Sequence, residues 1–203
     1  MAKGRFITFE GIDGAGKSTQ VEVIHQTIVA RGIEVVRTRE PGGTPLSEKI
    51  RELLLTQSME PSTETLLFFA SRAEHIAKVI KPSVERGAWV FSDRFTDATY
   101  AYQVGGRGFP ASKVEALEAW TQEGFGPDLT VLFDIDPEVA ARRVAKARNL
   151  DRFEKESLDF FTRVRNAYLE RARQNPDRFL IIDSMRDKET VSDELRRIFS
   201  TWD

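Results

Sequence analysis

Apolar positions along this chain change period repeatedly, from short buried runs to the three-and-four spacing of helices. Arg5-Phe6-Ile7-Thr8-Phe9-Glu10 reads as a short buried strand, and the stretch 18–31 that follows carries helical spacing at Val21, Ile24, Ile28 and Val29. The same reading predicts strands over 33–38, 88–92, 129–134 and 179–182. Helices are expected over 46–55, 64–86, 96–103, 112–123, 158–173 and 189–199. Another helix opens at Asp136-Pro137-Glu138, with Asp as N-cap and Pro in the first helical position. Gly105-Gly106-Arg107-Gly108 is expected to form a turn. Five strands separated by helices predict an α/β fold with a parallel sheet in three layers and a ligand at the carboxyl ends of the strands.

Composition narrows the class. The chain has 203 residues, 40% hydrophobic and 31% charged, which suits a single soluble domain. A formal net charge of −2 argues against broad electrostatic binding of nucleic acid. No apolar run approaches a membrane span, and Met1-Ala2-Lys3-Gly4 leads straight into the first strand without the apolar region of a signal peptide, so a cytoplasmic location is expected. With no Cys, disulfides, thiolate zinc sites and Cys nucleophiles are excluded.

The chemistry begins where the first strand meets the first helix. Gly11-Ile12-Asp13-Gly14-Ala15-Gly16-Lys17-Ser18-Thr19 satisfies G-x-x-x-x-G-K-[ST] in the strand-to-helix context that motif needs, so a P-loop NTPase fold is expected. A glycine-rich loop lets backbone N–H groups converge on phosphate oxygens without Cβ clashes. Lys17 would reach the β and γ phosphates of ATP, and the Ser18 hydroxyl would complete Mg²⁺ coordination. A GTPase would usually carry an Asn-Lys-x-Asp base-reading motif, and none occurs; a motor ATPase usually has a strand ending in two acids. Here Trp89-Val90-Phe91-Ser92-Asp93-Arg94 delivers one acid and one cation side by side, a pair suited to two phosphates and a metal.

The loop from Phe9 to Thr19 is joined in order by Thr38-Arg39-Glu40-Pro41-Gly42-Gly43-Thr44, Leu67-Phe68-Phe69-Ala70-Ser71-Arg72, Asp93-Arg94-Phe95, Tyr100-Ala101-Tyr102-Gln103 and Leu150-Asp151-Arg152-Phe153-Glu154. With these six pieces the chain resembles the bacterial thymidylate kinases along essentially its whole length. That resemblance implies transfer of the γ-phosphoryl group of ATP to the phosphate of dTMP, in dTTP biosynthesis, by a homodimer. Nearest alternatives are another deoxynucleoside monophosphate or nucleoside kinase, and, from a different class, a non-catalytic P-loop switch.

Phosphoryl transfer demands positioning and charge neutralisation more than covalent chemistry. The acceptor phosphate is largely dianionic near neutral pH, so no general base is needed; His25 and His75, both in predicted helices, read as structural or surface residues. By resemblance, Arg94 binds the acceptor phosphate and Asp93 acts on Mg²⁺ through water. Arg39 matches a position near the acceptor phosphate, with a structural role left open. Asp13 would accept a hydrogen bond from the sugar 3′-hydroxyl. Phe68 and Arg72 lie four apart on one helix face; the resemblance has Phe68 stack on thymine, against a core role for its apolar run, and Arg72 donate to O4, a contact that the cytosine amino group would not accept. Thr99 and Gln103 share a face and are expected to line the base pocket, and Tyr102 matches an aromatic that crowds the sugar 2′ position. Arg148 and Arg152 flank the polar break Asn149-Leu150-Asp151 and suit a lid over 144–155 closing on ATP. With Gly14 at the variable loop position, the resemblance implies that this lid supplies catalytic Arg. Arg143 matches a position that stacks on adenine, and Arg142 and Lys146 read as a solvated helix face.

Overall fold

A computed structural model describes residues 3–145, 153 and 156–202. Its strands are β1 (Arg5–Glu10), β2 (Val35–Arg39), β3 (Trp89–Asp93), β4 (Leu129–Asp134) and β5 (Phe179–Asp183). They form one parallel sheet, as the alternation of strand and helix predicts, with the strand order β2-β3-β1-β4-β5. β1 is therefore central, and the chain reverses its direction of growth beside it, the place where such sheets open a crevice. Register levels the strand ends: Arg39 lies opposite Asp93, and Asp93 opposite Phe9. Residues just beyond these ends consequently share one edge.

Both faces of the sheet are covered, which explains why β1 is almost wholly buried. Successive side chains alternate between faces. Ile7 and Phe9 belong to a cluster with Ile24 and Ile28 of α1 (Lys17–Ala30) and Leu195 and Phe199 of α9 (Lys188–Thr201). Phe6 joins Ile76, Ile80, Val90 and Phe95, meeting the Phe95 ring edge-on at 4.9 Å. Each such fully buried side chain contributes roughly 1.5–3 kcal/mol. On the adjacent strands β1 and β4, the buried Thr8 and Thr130 hydroxyls hydrogen-bond to each other at 2.8 Å.

Two helical expectations are corrected. The helix expected over 64–86 starts earlier, with Pro61 in its first turn, and is not uniform: α3 (Pro61–His75) passes through a π-helical turn, Ile76–Ile80, into α4 (Lys81–Glu85). Pro82 lacks the N–H that an α-helix would offer the Lys78 carbonyl, and widening the preceding turn relieves the ring's clash with it. The second correction concerns Gly105 and Gly106, which do not form a turn. Short α5 (Thr96–Thr99) continues into a π-helical segment, Tyr100–Gly106, and the chain leaves the helix only at Arg107. The reason is close approach by α8 (Leu158–Gln174): a Cβ on Gly105 would lie 2.4 Å from that of Ala167, and one on Gly106 2.5 Å from the Phe160 ring. The remaining helices are α2 (Pro45–Thr56), α6 (Ala111–Gln122) and α7 (Pro137–Val144), the last capped by the Asp136 carboxylate as expected.

Candidate active site

The loop between β1 and α1 turns on glycines with positive φ. Gly14 (φ 86°) also passes so near α7 that a Cβ there would sit 2.5 Å from the Ala140 carbonyl oxygen. Lys17 Nζ donates to the carbonyls of Gly11 (3.0 Å) and Ile12 (3.4 Å) and lies 4.0 Å from an Asp13 carboxylate oxygen. Burial lowers its pKa, assisted by the Arg94 guanidinium and opposed by Asp13, Asp93 and Glu10. Ser18, in the first turn of α1, is exposed to the same space as Asp93 at the end of β3. A hydroxyl and a carboxylate at the lip of a phosphate loop fit Mg²⁺, which retains waters and takes few protein ligands.

Arg94 extends from the end of β3 towards this loop. Its Nη2 donates to Asp13 at 3.1 Å and its Nη1 to the Tyr168 hydroxyl at 3.3 Å, with the guanidinium 4.8 Å from the centre of the Tyr102 ring. Its charge partner is thus Asp13 in the P-loop, across the sheet edge. Burial works against the Arg94 charge, but Tyr102, Asp13, Tyr168 and Asp93 outweigh it and hold the pKa well above the usual value. Beneath lies a residue that the sequence reading did not assign. Glu10 is wholly buried; its carboxyl accepts from the Phe95 N–H at 2.7 Å and from the Tyr168 hydroxyl at 2.7 Å. Burial, then the Asp97 carboxylate, pushes Glu10 up to about 8 against the pull of Arg94 and the two donors. An acid closing a strand that reads as buried was the available signal.

These groups open on a cleft of about 620 Å³. It brings together Asp13 to Thr19, Arg39, Phe68, Arg72, Asp93, Arg94, Thr99, Tyr102, Gln103 and Arg143; of the described candidates only Gly11 and Ile12 lie behind its wall. Phe69, not Phe68, is the core member of its apolar run: Phe68 is half-buried and faces the Phe153 ring at 6.1 Å. Arg72 is only 1% exposed, with Nε bound to Glu40 (2.7 Å) and Nη2 to Thr99 (3.2 Å). Gln103 lies beside it, its amide nitrogen donating to Glu64 at 2.9 Å. Arg39 is half exposed and ion-paired with Glu48 at 2.9 Å, while Arg143 reaches the carbonyls of Gly14 (3.4 Å) and Ser184 (3.2 Å). Arg51 of α2 also lines the cleft and was not singled out from the sequence, since nothing in its spacing separates it from a solvated helix position. His75 is wholly buried, and His25 is half-buried beside Glu22. Arg148 and Arg152 lie outside the described residues.

A phosphate loop at the carboxyl edge of a parallel sheet, faced by arginines and an aromatic corner, defines a P-loop nucleotide phosphotransferase. Comparison with known proteins narrows this. The thymidylate kinase family model matches residues 9–195. The chain is 60% identical over 193 residues to thymidylate kinase of Methylobacillus flagellatus, covering 95% of each. It is 56% identical over 204 residues to that of Paraburkholderia xenovorans, covering 98% of this chain and 99% of the relative. The crystal structure of thymidylate kinase from Ehrlichia chaffeensis superposes with a TM-score of 0.76 at 35% identity, covering 96% of this chain and 98% of the other. The chain belongs to the thymidylate kinase family, and is an ATP-dependent nucleoside monophosphate kinase. Among the described residues no helix is long and apolar enough to cross a membrane.

Proposed function

We propose that this chain transfers the γ-phosphoryl group of ATP to the 5′-phosphate of dTMP, giving ADP and dTDP for dTTP synthesis, in the cytoplasm. The observation that carries this reading is one cleft lined together by the phosphate loop, Arg94 and the pair Phe68 and Arg72. A dTMP phosphate oxygen forms the new bond to Pγ as the bond from Pγ to the β,γ-bridging oxygen breaks; the acceptor is already anionic, so no residue takes a proton. The P-loop amides and Lys17 hold the ATP phosphates, and Arg94 draws the acceptor phosphate in line. Arg39 supports the acceptor side, and Arg143 borders the adenine side. Phe68 stacks on thymine, Arg72 donates to O4, Thr99 and Gln103 border the base, Asp13 takes the sugar hydroxyl and Tyr102 crowds the 2′ position. Ser18 and Asp93 would hold Mg²⁺, which when bound offsets charge between the β and γ phosphates. The chain acts as a single kinase domain; segment 144–155 serves as its lid, through which Arg148 and Arg152 complete the cation set.

The test is ADP release from ATP and Mg²⁺ with dTMP, dUMP, dCMP, ribosyl-TMP or thymidine as sole acceptor. Strong turnover with dTMP, weaker with dUMP and negligible with the rest is expected; preference for dCMP or thymidine would overturn the base and sugar assignments. Excess EDTA is expected to abolish turnover without unfolding the chain, read by activity beside circular dichroism. An Arg152→Ala variant should lose kcat more than substrate affinity, and an unchanged kcat would remove the lid assignment.

A further inference from the structure

Behind Arg72 runs a buried chain of polar groups that the roles above do not use. Glu40, in the loop after β2, accepts from Arg72 Nε at Oε2 (2.7 Å) and from His75 Nδ1 at Oε1 (3.0 Å); His75 Nε2 lies 2.6 Å from the Thr38 hydroxyl. Arg72, Glu40 and His75 are 1%, 5% and 0% exposed, so each needs its partners. Facing a carboxylate, Nδ1 carries a hydrogen, and in the neutral ring Nε2 then accepts from Thr38. The loop is shaped around this chain. A Cβ on Gly43, whose φ is 86°, would lie 2.5 Å from both His75 Nε2 and Thr38 Oγ1.

We propose that Glu40 and His75 are positioning residues that set the roll of the Arg72 guanidinium, and so the preference for a pyrimidine with a carbonyl at position 4. This rests on the proposed contact of Arg72 with the base. The Phe69 and Phe95 rings, 4.8 and 5.2 Å from the guanidinium carbon, flank Arg72 and limit its tilt. Rotation within its plane is set by the hydrogen bonds. A carboxylate left to itself favours a two-pronged grip on an arginine fork. Here His75 occupies one oxygen, so Glu40 takes Nε alone. Thr99 takes Nη2, and Nη1 is left buried with no hydrogen-bond partner among the described residues. Arg72 is among the residues that line the cleft and keeps Nη1 unspent, a donor that suits a carbonyl oxygen and opposes an amino group, while the Glu40 charge balances its own within the protein.

The test compares KM for dTMP, Ki for dCMP, kcat and Tm in Arg72→Leu, His75→Leu, His75→Asn and Thr38→Val. His75→Leu frees the second carboxylate oxygen, and KM for dTMP should rise about tenfold with kcat little changed. Ki for dCMP should hold or fall, because that ligand loses nothing when the donor edge turns away. His75→Asn, which places an amide N–H near Nδ1, should restore KM towards the parent value. If His75→Leu does not fold, Thr38→Val keeps the test, with a smaller rise in KM in the same direction. Equal behaviour of the Leu and Asn variants, or parallel losses for dTMP and dCMP, would overturn the inference. If Arg72→Leu leaves KM for dTMP unchanged, the base contact itself fails. If Arg72→Leu raises it and His75→Leu and Thr38→Val do not, only the positioning role fails.

Discussion

Arg94 holds a left-handed backbone conformation (φ 71°), which costs a non-glycine residue about 1–3 kcal/mol unless its surroundings impose it. Three bonds do so: Arg94 N–H to the Phe9 carbonyl (3.1 Å), the Ser92 hydroxyl to the Arg94 carbonyl (2.8 Å), and Phe95 N–H to Glu10 (2.7 Å). Such strain at a cation aimed into the phosphate cleft fits positioning before substrate arrives. Arg94→Ala should lower kcat/KM for dTMP about 100-fold or more, with Tm altered by only a few degrees, measured by coupled assay and calorimetry. An equal loss with ATP hydrolysed in the absence of dTMP would contradict an acceptor role. Glu10 supplies a pH signature. Its carboxyl titrates near 4.5 when unfolded and at about 8 when folded, so between those values the folded state keeps a proton that the unfolded state has released. Stability should therefore fall as pH rises from about 4.5 to about 8 and level off above. Asp97, held below its usual range against burial by Arg178 and Arg171, changes stability only at more acid pH. Between pH 5.5 and 8, urea melts should show the parent losing about 3 kcal/mol relative to Glu10→Gln. Parallel curves for the two proteins would show that Glu10 is not the titrating group.

At the scale of elements, the contact between α8 and the π-helical segment at Tyr100–Gly106 is the joint most sensitive to size. Gly106→Ala puts a methyl 2.5 and 2.7 Å from two Phe160 ring atoms and 3.0 Å from Val164 Cγ2. Overpacking of this kind costs about 1–3 kcal/mol and should lower Tm by roughly 2–10 °C, read by calorimetry. No change would mean that α8 shifts freely. This joint also marks where sequence reasoning stops. The five strands and the phosphate loop were legible because period and motif are local properties: Phe6 to Glu10 and Gly11 to Thr19 carry their own signal. Gly105 and Gly106 were not, because two glycines in a row suggest a turn, and what forbids a side chain there is Ala167 and Phe160 in a distant helix. The π turn before Pro82 was hidden similarly, since helical apolar spacing continues through it. In the site, Phe68 and Arg72 were legible as a pair on one helix face. Glu40 and His75 were not, because their meeting depends on a loop folding back over α3.

At the scale of the whole molecule, the helices that carry the base corner also carry an unexplained surface. Leu46 and Leu53 on α2 are 52% and 47% exposed, and Leu66 on the adjoining α3 is 54% exposed. Exposed leucines on two helices packed against each other favour an interface. The homodimer that the family resemblance implies supplies the simplest occupant, a second copy of the same face. Leu66 and Phe68 are two residues apart on α3, so one side of the helix would meet the partner while the other borders the cleft. Loss of the dimer should then loosen the acceptor side more than the phosphate loop, which rests on β1 and α1. Sedimentation of the parent should give twice the 23.1 kDa of one chain. Leu66→Glu should shift the mass towards a single chain and raise KM for dTMP several-fold while KM for ATP changes little; Leu66 itself is not among the residues that line the cleft. A monomeric parent at micromolar concentration would place the leucines outside any self-association. A dimer-breaking variant with equal rises in both KM values would show that the interface supports the fold as a whole and not the base corner in particular.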